Sequence, residues 1–367
     1  MAEALKNKIP IGILGATGTV GQRFVMLLAD HPWFETTCLA ASPRSAGKPY
    51  AEALADRWAN SNPIPESAER TIVMDAEADL PAITERVAIV FSAVDLDKEK
   101  TRRLEDAYAS RGAAVVSCNS AHRLTGDVPM LIPEINPHHL SLIDAQRQRR
   151  GWTQGLIAVK PNCSIQSYVP ALEPLRAFGL KRVIVSTYQA ISGAGKTFDT
   201  WPEMMDNVIP YISGEEKKSE DEPLKIWGTV RKGTLEPAEE PVVSATCIRV
   251  PVTDGHMASV AVGFVRRPSR EEIVSAIRNW KNPIGPLGLP SSPERFLEYF
   301  EQDDRPQTRL DRNLGNGMAV SVGRLREDAV LDWKFVALSH NTLRGAAGGA
   351  VLIAELLVKK GYIDTAR

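Results

Sequence analysis

One cysteine in this chain stands where a strand pattern gives way to a helical one: Cys163, in "KPNCSIQSYVPALEPL". An unassisted thiol ionises near pH 8.5, about the value of a free cysteine, so nucleophilic use needs a neighbour that lowers its pKa or takes its proton. Pro161 blocks helix upstream and Asn162 is a good cap, which predicts Cys163 in a first helical turn, where the dipole favours a thiolate. Pro170 and Pro174 kink or end that helix further on but leave its first turn intact. Cys38 and Cys247 fall within apolar strand patterns and read as core. Cys118, ending "GAAVVSC", is the competing nucleophile, because the ends of parallel strands face a ligand crevice. The four cysteines form no CxxC pair and no HExxH is present, so no metal is expected.

A nucleophilic thiol needs a base. His31 abuts a helix end, His122, His138 and His139 fall in loop or helix-start contexts, and His340 precedes "NTLRGAAGG". His256 differs, lying in "CIRVPVTDGHMASVAVGF" just after the turn signal Asp254-Gly255. That arrangement predicts a hairpin-like unit with Arg249 on one strand and His256 at the entrance to the next. An exposed turn histidine is the alternative reading.

A second chemical signal opens the chain. "IPIGILGATGTVGQRF" spaces Gly12, Gly15, Gly18 and Gly21 by three between a strand and a helix. Such a turn lets backbone approach a pyrophosphate at a helix N-terminus, with Thr17, Thr19 and Val20 completing the cradle. The pattern is GxxGxxG rather than the usual GxGxxG, so a tight turn that binds nothing stays open. An NAD site places an acid at the end of the second strand; here that strand runs into "LAASPRSAGKPY", with Ser42, Arg44, Ser45 and Lys48 and no acid. Hydroxyls and cations suit a 2′-phosphate, so NADP is expected over NAD. An ordinary basic loop is the alternative.

These residues need rigid elements to hold them. Through about residue 160, short apolar strands alternate with helical patterns, which indicates a parallel sheet covered on both faces. From 161 to 344, "RVIVSTYQA", "VVSATCIRVPV" and "MASVAVGFV" suggest a broad mixed sheet, and the small-residue helix in 345–367 is expected to return to the first domain. The fold class is therefore α/β: a Rossmann-like dinucleotide-binding domain (1–160 with 345–367) plus an α/β catalytic domain (161–344). The chain of 367 residues is 43% hydrophobic and 24% charged with net charge −1, so no global field draws it to nucleic acid or membrane. No apolar run is long enough to span a bilayer and no signal-peptide core opens the chain, so a cytoplasmic enzyme acting on a small molecule is expected. "SGEEKKSEDEP" (213–223) reads first as a solvated charge run.

Taken together, "GATGTVG", "ASPRSAGKPY", "SCNSAHRL", "PNCS", "YQAISGAG", "IPYISGEEKK", "RVPVTDGHMASV" and "NTLRGAAGGAV" resemble, in order and over nearly the whole chain, the aspartate-β-semialdehyde dehydrogenase family, especially its archaeal and fungal branch. The resemblance implies Cys163 as nucleophile, His256 as acid/base that takes the thiol proton, and Gln189 as the group orienting the bound intermediate. It implies Arg249 for the substrate α-carboxylate, Glu215 for its ammonium, Arg123 and Lys218 for phosphate, and Asn162 beside the substrate. Asn119 is implied near phosphate, and Ser92, Ser192, Gly193 and Asn341 near the cofactor. It further implies NADP as cofactor, a β-aspartyl phosphate or aspartate semialdehyde substrate with inorganic phosphate, and a homodimer or dimer of dimers. The charge run thereby acquires a role, with the choice between Glu215 and Glu216, and between Lys217 and Lys218, left open. Sister chemistries share this logic: N-acetyl-γ-glutamyl-phosphate reductase, and malonyl- or succinyl-CoA reductase. A non-catalytic NADP-binding module is the reading from another class.

Overall fold

The computed structural model describes residues 4–60 and 62–364, so Met1–Glu3, Ser61 and the last three residues lie outside it, including the outermost ends of the expected first domain. The alternating first part forms β1 (Ile9–Leu14), α1 (Thr19–Leu28), β2 (Phe34–Ala41), β3 (Met74–Asp75), β4 (Ile89–Ser92), α2 (Lys98–Ser110), β5 (Ala114–Ser117) and β6 (Leu156–Val159). These strands make one parallel sheet in the order β3-β2-β1-β4-β5-β6. Every residue of β4, β5 and β6 is buried, which is why they carry no polar alternation. Strand order reverses between β2 and β4, both of which pair with β1, and ligands of such sheets bind beyond the carboxyl ends at that point.

The remainder forms α3 (Ile165–Leu172), β7 (Leu180–Gln189), α4 (Glu215–Ile226), a small hairpin of β8 (Thr229–Arg231) and β9 (Thr234–Glu236), β10 (Val242–Arg249), β11 (His256–Phe264), α5 (Arg270–Arg278), β12 (Leu297–Tyr299), β13 (Val320–Glu327), β14 (Trp333–Ser339) and α6 (Ala347–Lys359). The second sheet is mixed, in the order β10-β7-β11-β14-β13-β12. Along β7, Val183, Val185 and Thr187 are buried while Arg182 and Ile184, on the alternate positions, are exposed, so one sheet face is covered and the other is open.

The expected hairpin between Arg249 and His256 does not form. β7 lies between their strands, pairing parallel with β10 and antiparallel with β11. The 250–255 connection instead crosses the end of β7, held by Val250 N–H on the Gln189 carbonyl (3.0 Å) and Ile191 N–H on the Val252 carbonyl (2.9 Å). A turn signal fixes a reversal of the chain; it does not fix which strand fills the gap.

The two sheets share a core. All eight residues of α3 are buried, and Ile165, Tyr168, Val169 and Leu172 join one cluster with Leu14, Val90 and Val115 of the first sheet and Val183, Val260 and Phe335 of the second. The helix runs through Pro170 to Leu172, and Pro174 falls in the 3₁₀ segment after it. On the other face of the first sheet, α6 is apolar on all sides and buried on all sides until its last turn, packed with Ile11, Phe24 and Phe91. Its one buried acid, Glu355, is met by His31 Nε2 (3.0 Å) and by the N–H and hydroxyl of Ser291.

The loop entering α6 is anchored by an ion pair removed from water: Arg344, 1% exposed, donates from both terminal nitrogens to Glu134 and stacks over Phe296 at 4.6 Å. Removing one partner of a buried pair strands the other charge, at a cost of about 3–5 kcal/mol. Arg344→Met should therefore lower the stability of the folded protein by that amount in denaturant titration, with Glu134→Gln alongside Arg344→Met recovering part of it. An unchanged midpoint for the single variant would contradict the pair's isolation from solvent.

Candidate active site

Both sheets aim strand ends at one crevice. From the first come Gly15 after β1, the 118–123 segment after β5, and Lys160–Cys163 after β6. From the second come Gln189 and Arg249, paired at the ends of β7 and β10, and His256 at the start of β11. Backbone hydrogen bonds fix these ends before any ligand arrives.

Cys163 precedes α3 rather than lying within it. The helix begins at Ile165 with Ser164 as its flanking residue. Asn162 still caps: its side-chain oxygen accepts from the Ser164 N–H and hydroxyl, both at 2.7 Å. The thiol is not acidified at rest, contrary to the first-turn expectation. Burial pushes its pKa up, the Glu215 carboxylate pushes the same way, and Lys160, Arg123 and Arg249 oppose them. Cys38 and Cys247 are buried strand residues as expected. Cys118 sits at the end of β5 with burial raising its thiol to about 11.

His256 is buried with its Nε2 3.5 Å from Cys163 Sγ. Its Nδ1 accepts the Ala190 N–H at 3.1 Å, so in the neutral ring Nε2 carries the proton and points it at sulfur. Burial and then the Arg249 charge hold the imidazole well below its ordinary pKa, while a backbone hydrogen bond to Gly255 favours the imidazolium. Taking up the thiol proton is thus not what this resting tautomer does; it donates toward sulfur and stabilises negative charge there or on an adjoining oxygen. Ala190 also holds Arg249, whose Nη1 donates to its carbonyl at 2.7 Å. The two neighbours are packed so closely that a Cβ on Gly193 would come within 3.0 Å of both His256 Nε2 and Arg249 Nη1.

The charge run is a helix, α4, with a buried polar face. Glu215, Ser219, Glu222 and Ile226 recur at three- and four-residue spacing and are all buried. Glu215 is the inward acid: it accepts from both Asn162 Nδ2 (3.0 Å) and Lys218 Nζ (2.7 Å), with Gln189 Nε2 at 3.5 Å. Lys217 instead pairs outward with Asp221. Asn162 therefore positions Glu215 with its whole side chain, rather than offering a free group to a substrate. Lys218 and Arg123 are likewise engaged: Arg123 donates to Glu222 (3.0 Å) and to the carbonyls of Lys160 (3.1 Å) and Cys118 (2.9 Å). Of the guanidinium's five donors, two have no partner among the described residues and can meet an incoming anion.

The dinucleotide end is a cavity of about 650 Å³ lined by Gly15, Thr17, Gly18, Ser42, Arg44, Ser45 and Lys48. Gly15 has φ +78°, and a Cβ there would lie 2.3 Å from the Ala93 carbonyl; one on Gly21 would lie 2.1 Å from the Gly15 carbonyl. Glycine at these positions lets the turn pack between β4 and α1 with bare backbone lining the cavity, as close approach of a pyrophosphate requires. The Gly15 and Ala16 N–H groups are held by the Ala40 carbonyl and the Gly18 N–H by that of Gly15. Thr19 and Val20 open α1 beside this cradle. Arg44 and Lys48 are exposed at the rim, free to meet a phosphate. Acids absent from the second strand enter from elsewhere: Glu52, Asp75 and Glu77 also line the cavity. Asp75 is committed to the Glu77 and Ala78 N–H groups, each at 2.9 Å.

Other expected cofactor residues are held in place by hydrogen bonds to their neighbours. Ser92 is fully buried behind the lining, its hydroxyl accepting from Asn119 (3.0 Å). Asn341 donates to Ser192 Oγ (2.9 Å) and accepts the Gly255 N–H (2.8 Å), tying the Ile191–Ala194 turn to the entrance of β11.

Three buried polar residues escaped the sequence reading. Glu222 accepts Arg123 (3.0 Å) and the Asn162 N–H (2.5 Å), joining the two loops that frame Cys163. Its signal was present as the helical spacing 215/219/222. Glu105 on α2 accepts from Ser117 (2.6 Å) and Asn119 (3.0 Å), and burial raises its pKa. Lys160, 2% exposed, had only its place three residues before Cys163 to mark it.

Known proteins match this arrangement along its length. A family model described as "Semialdehyde dehydrogenase, NAD binding domain" matches residues 10–143, and "Semialdehyde dehydrogenase, dimerisation domain" matches 172–344. Aspartate-semialdehyde dehydrogenase of Archaeoglobus fulgidus is 46% identical over 96% of this chain and 99% of its own. That of Cryptococcus neoformans is 44% identical over 98% and 99%. The crystal structure of the Candida albicans enzyme with NADP superposes with a TM-score of 0.86 at 39% identity, covering 97% of this chain and all of that one. By sequence over its full span and by the shape of both lobes, this chain belongs to the aspartate-semialdehyde dehydrogenase family.

Proposed function

We propose that this chain is an NADP-dependent aspartate-semialdehyde dehydrogenase that interconverts β-aspartyl phosphate and aspartate semialdehyde plus phosphate, a step of amino-acid biosynthesis leading to lysine, threonine and methionine. One observation carries the assignment of roles: the His256 Nε2–H faces Cys163 Sγ at 3.5 Å, while Arg249 and Glu215 bear on the same sulfur from opposite signs of charge. A cation and an anion that both act on the nucleophile suit the carboxylate and ammonium of an α-amino acid. A CoA thioester calls for neither.

In the reductive direction the Cys163 thiolate attacks the acyl carbon, the bond to phosphate oxygen breaks, and a thioester remains on sulfur. A thiolate suits both halves, since it adds readily to carbonyls and departs readily. Bound NADPH supplies the hydride in this direction, and NADP⁺ accepts it in the other. The His256 N–H stabilises the oxyanion on the former carbonyl, and Gln189, held between Glu215 and Thr187, orients the acyl group. Breaking of the C–S bond then frees the aldehyde. Arg123 and Lys218 receive phosphate by loosening their present pairs, and Ser192, Gly193 and Asn341 border the nicotinamide. Residues 1–160 with 345–367 act as the cofactor domain and 161–344 as the catalytic and dimerisation domain. A homodimer, or a dimer of dimers, covers the open face of the second sheet, where Ile184 and Val242 are exposed. Free cysteines suit a cytoplasmic setting.

Purified protein should oxidise aspartate semialdehyde with NADP⁺ only when phosphate is supplied, and should leave malonyl-CoA with NADPH untouched. It should also prefer NADP over NAD, with Arg44→Ala raising KM for NADP by about tenfold, the loss of roughly one charge-assisted phosphate contact. Equal kcat/KM for both dinucleotides would remove Arg44 and Lys48 from the 2′-phosphate site.

A further inference from the structure

The loop that carries Arg123 has an anchor that the reaction as described leaves aside. Three of the Arg123 donors are committed, to Glu222, Lys160 and Cys118, so the direction of the other two depends on where its own backbone lies. That backbone is held by Lys225, in the last turn of α4 and 3% exposed. Lys225 Nζ donates to the carbonyls of Arg123 (2.5 Å), Thr125 (2.8 Å) and Val128 (3.0 Å). An ammonium has three N–H donors, and here all three are spent on one loop. The end of a helix also favours a cation.

A buried charge has to be met by partners. Glu222, three residues earlier on the same helix, is spent on Arg123 and the Asn162 N–H, and Asp127, within the loop, is spent on Arg150. Among the described residues the charge of Lys225 is therefore met by main-chain carbonyls alone. Those of Arg123 and Val128 have no other partner there, so a hydrocarbon in its place would strand two buried acceptors. The outer side of the loop has supports of its own: Arg150 grips Asp127 at 2.9 Å, and the Leu235 N–H holds the Gly126 carbonyl at 3.0 Å. Lys225 governs the inner side, where the Arg123 side chain departs. One face of α4 thus grips Arg123 twice, Glu222 by the guanidinium and Lys225 by the backbone.

We infer that Lys225 is a positioning residue for the phosphate subsite, aiming the two uncommitted donors of Arg123 into the crevice without touching the substrate. This rests on Arg123 receiving phosphate in the proposed reaction. Lys225 itself has no donor left to offer a ligand, which separates its role from that of Lys218 on the same helix.

The test is steady-state oxidation of aspartate semialdehyde by the intact enzyme, with phosphate, aldehyde and NADP⁺ varied in turn. Lys225→Met, of similar length and without donors, should raise KM for phosphate by about ten- to a hundredfold, the range that misplacing a binding group produces. Lys225→Gln keeps two N–H donors and should fall between it and the wild type. For both, kcat at saturating phosphate and KM for the aldehyde should change by less than about twofold. Denaturant midpoints establish folding, and Lys225→Gln carries the test if Lys225→Met does not fold. In an Arg123→Gln background the same substitutions should add nothing to the loss in kcat/KM for phosphate, because the guanidinium they misdirect is gone. An unchanged KM for phosphate, an equal rise for phosphate and aldehyde, or a fully additive loss in the Arg123→Gln background would each overturn the inference and leave the enzyme assignment standing. If the wild type oxidises the aldehyde equally well without phosphate, the functional reading itself fails.

Discussion

Cys163→Ser is expected to lower kcat by about four orders of magnitude or more, the scale seen when a covalent nucleophile is removed. The substitution changes one atom and no backbone. Asn162 and Ser164 keep the cap in place, and the His256 Nε2–H still has an oxygen to meet, so the fold and dinucleotide binding should survive. What is lost is chemistry: a serine hydroxyl stays protonated in a site whose cations cannot ionise it, and an oxygen ester releases its acyl group far less readily than a thioester. Single-turnover assays with aspartate semialdehyde, NADP⁺ and phosphate would read the drop, and NADP titration by fluorescence would show intact binding. Retained turnover would shift attention to Cys118 at the end of β5, although its thiol, raised to about 11, is poorly suited to attack.

The second large effect concerns His256. In His256→Asn the side-chain oxygen stands near the place of Nδ1 and can still accept the Ala190 N–H, so the turn after β7 should hold. Nothing replaces Nε2. A positioned proton donor or acceptor contributes about 10²–10⁴-fold, and kcat should fall within that range while KM for the aldehyde changes little. Steady-state kinetics at several pH values decides it; a decrease under about threefold would remove His256 from the chemistry. Burial and Arg249 lower the pKa of this ring, so it is neutral at pH 7 and stays neutral as pH falls through the ordinary imidazole range. Protonation of His256 should accordingly add no acid limb to kcat above about pH 6.5, and a limb at higher pH belongs to the Cys163 thiol, whose pKa burial raises.

Patterns of one residue type carried most of the fold. Apolar runs in 89–92, 114–117 and 156–159 announce buried parallel strands, and the glycine spacing announces the turn at which β1 meets α1. The neighbour relation of β10 and β11 was not legible, because strand pairing depends on a third segment, β7, sixty residues upstream in the chain. Among site residues, Cys163 and His256 could be singled out by context, yet their 3.5 Å approach depends on two separate sheets. The thiol's raised pKa was equally hidden: local helix-cap chemistry argues for an acidic sulfur, and only the packed neighbourhood supplies the burial and the Glu215 charge that reverse it. Glu222, Lys160 and Glu105 were missed for the opposite reason. Charged residues in sequence read as solvated until the fold turns them inward.

Because α3 is buried along its whole length and packs against both sheets, the halves of this molecule cannot hinge apart without opening the interior. Admission and release of ligands therefore fall to small surface pieces: the basic 42–48 loop at one end of the crevice and the Ile191–Ala194 turn, latched by Asn341, at the other. Strengthening the frame elsewhere should accordingly leave the exchange of ligands unaltered.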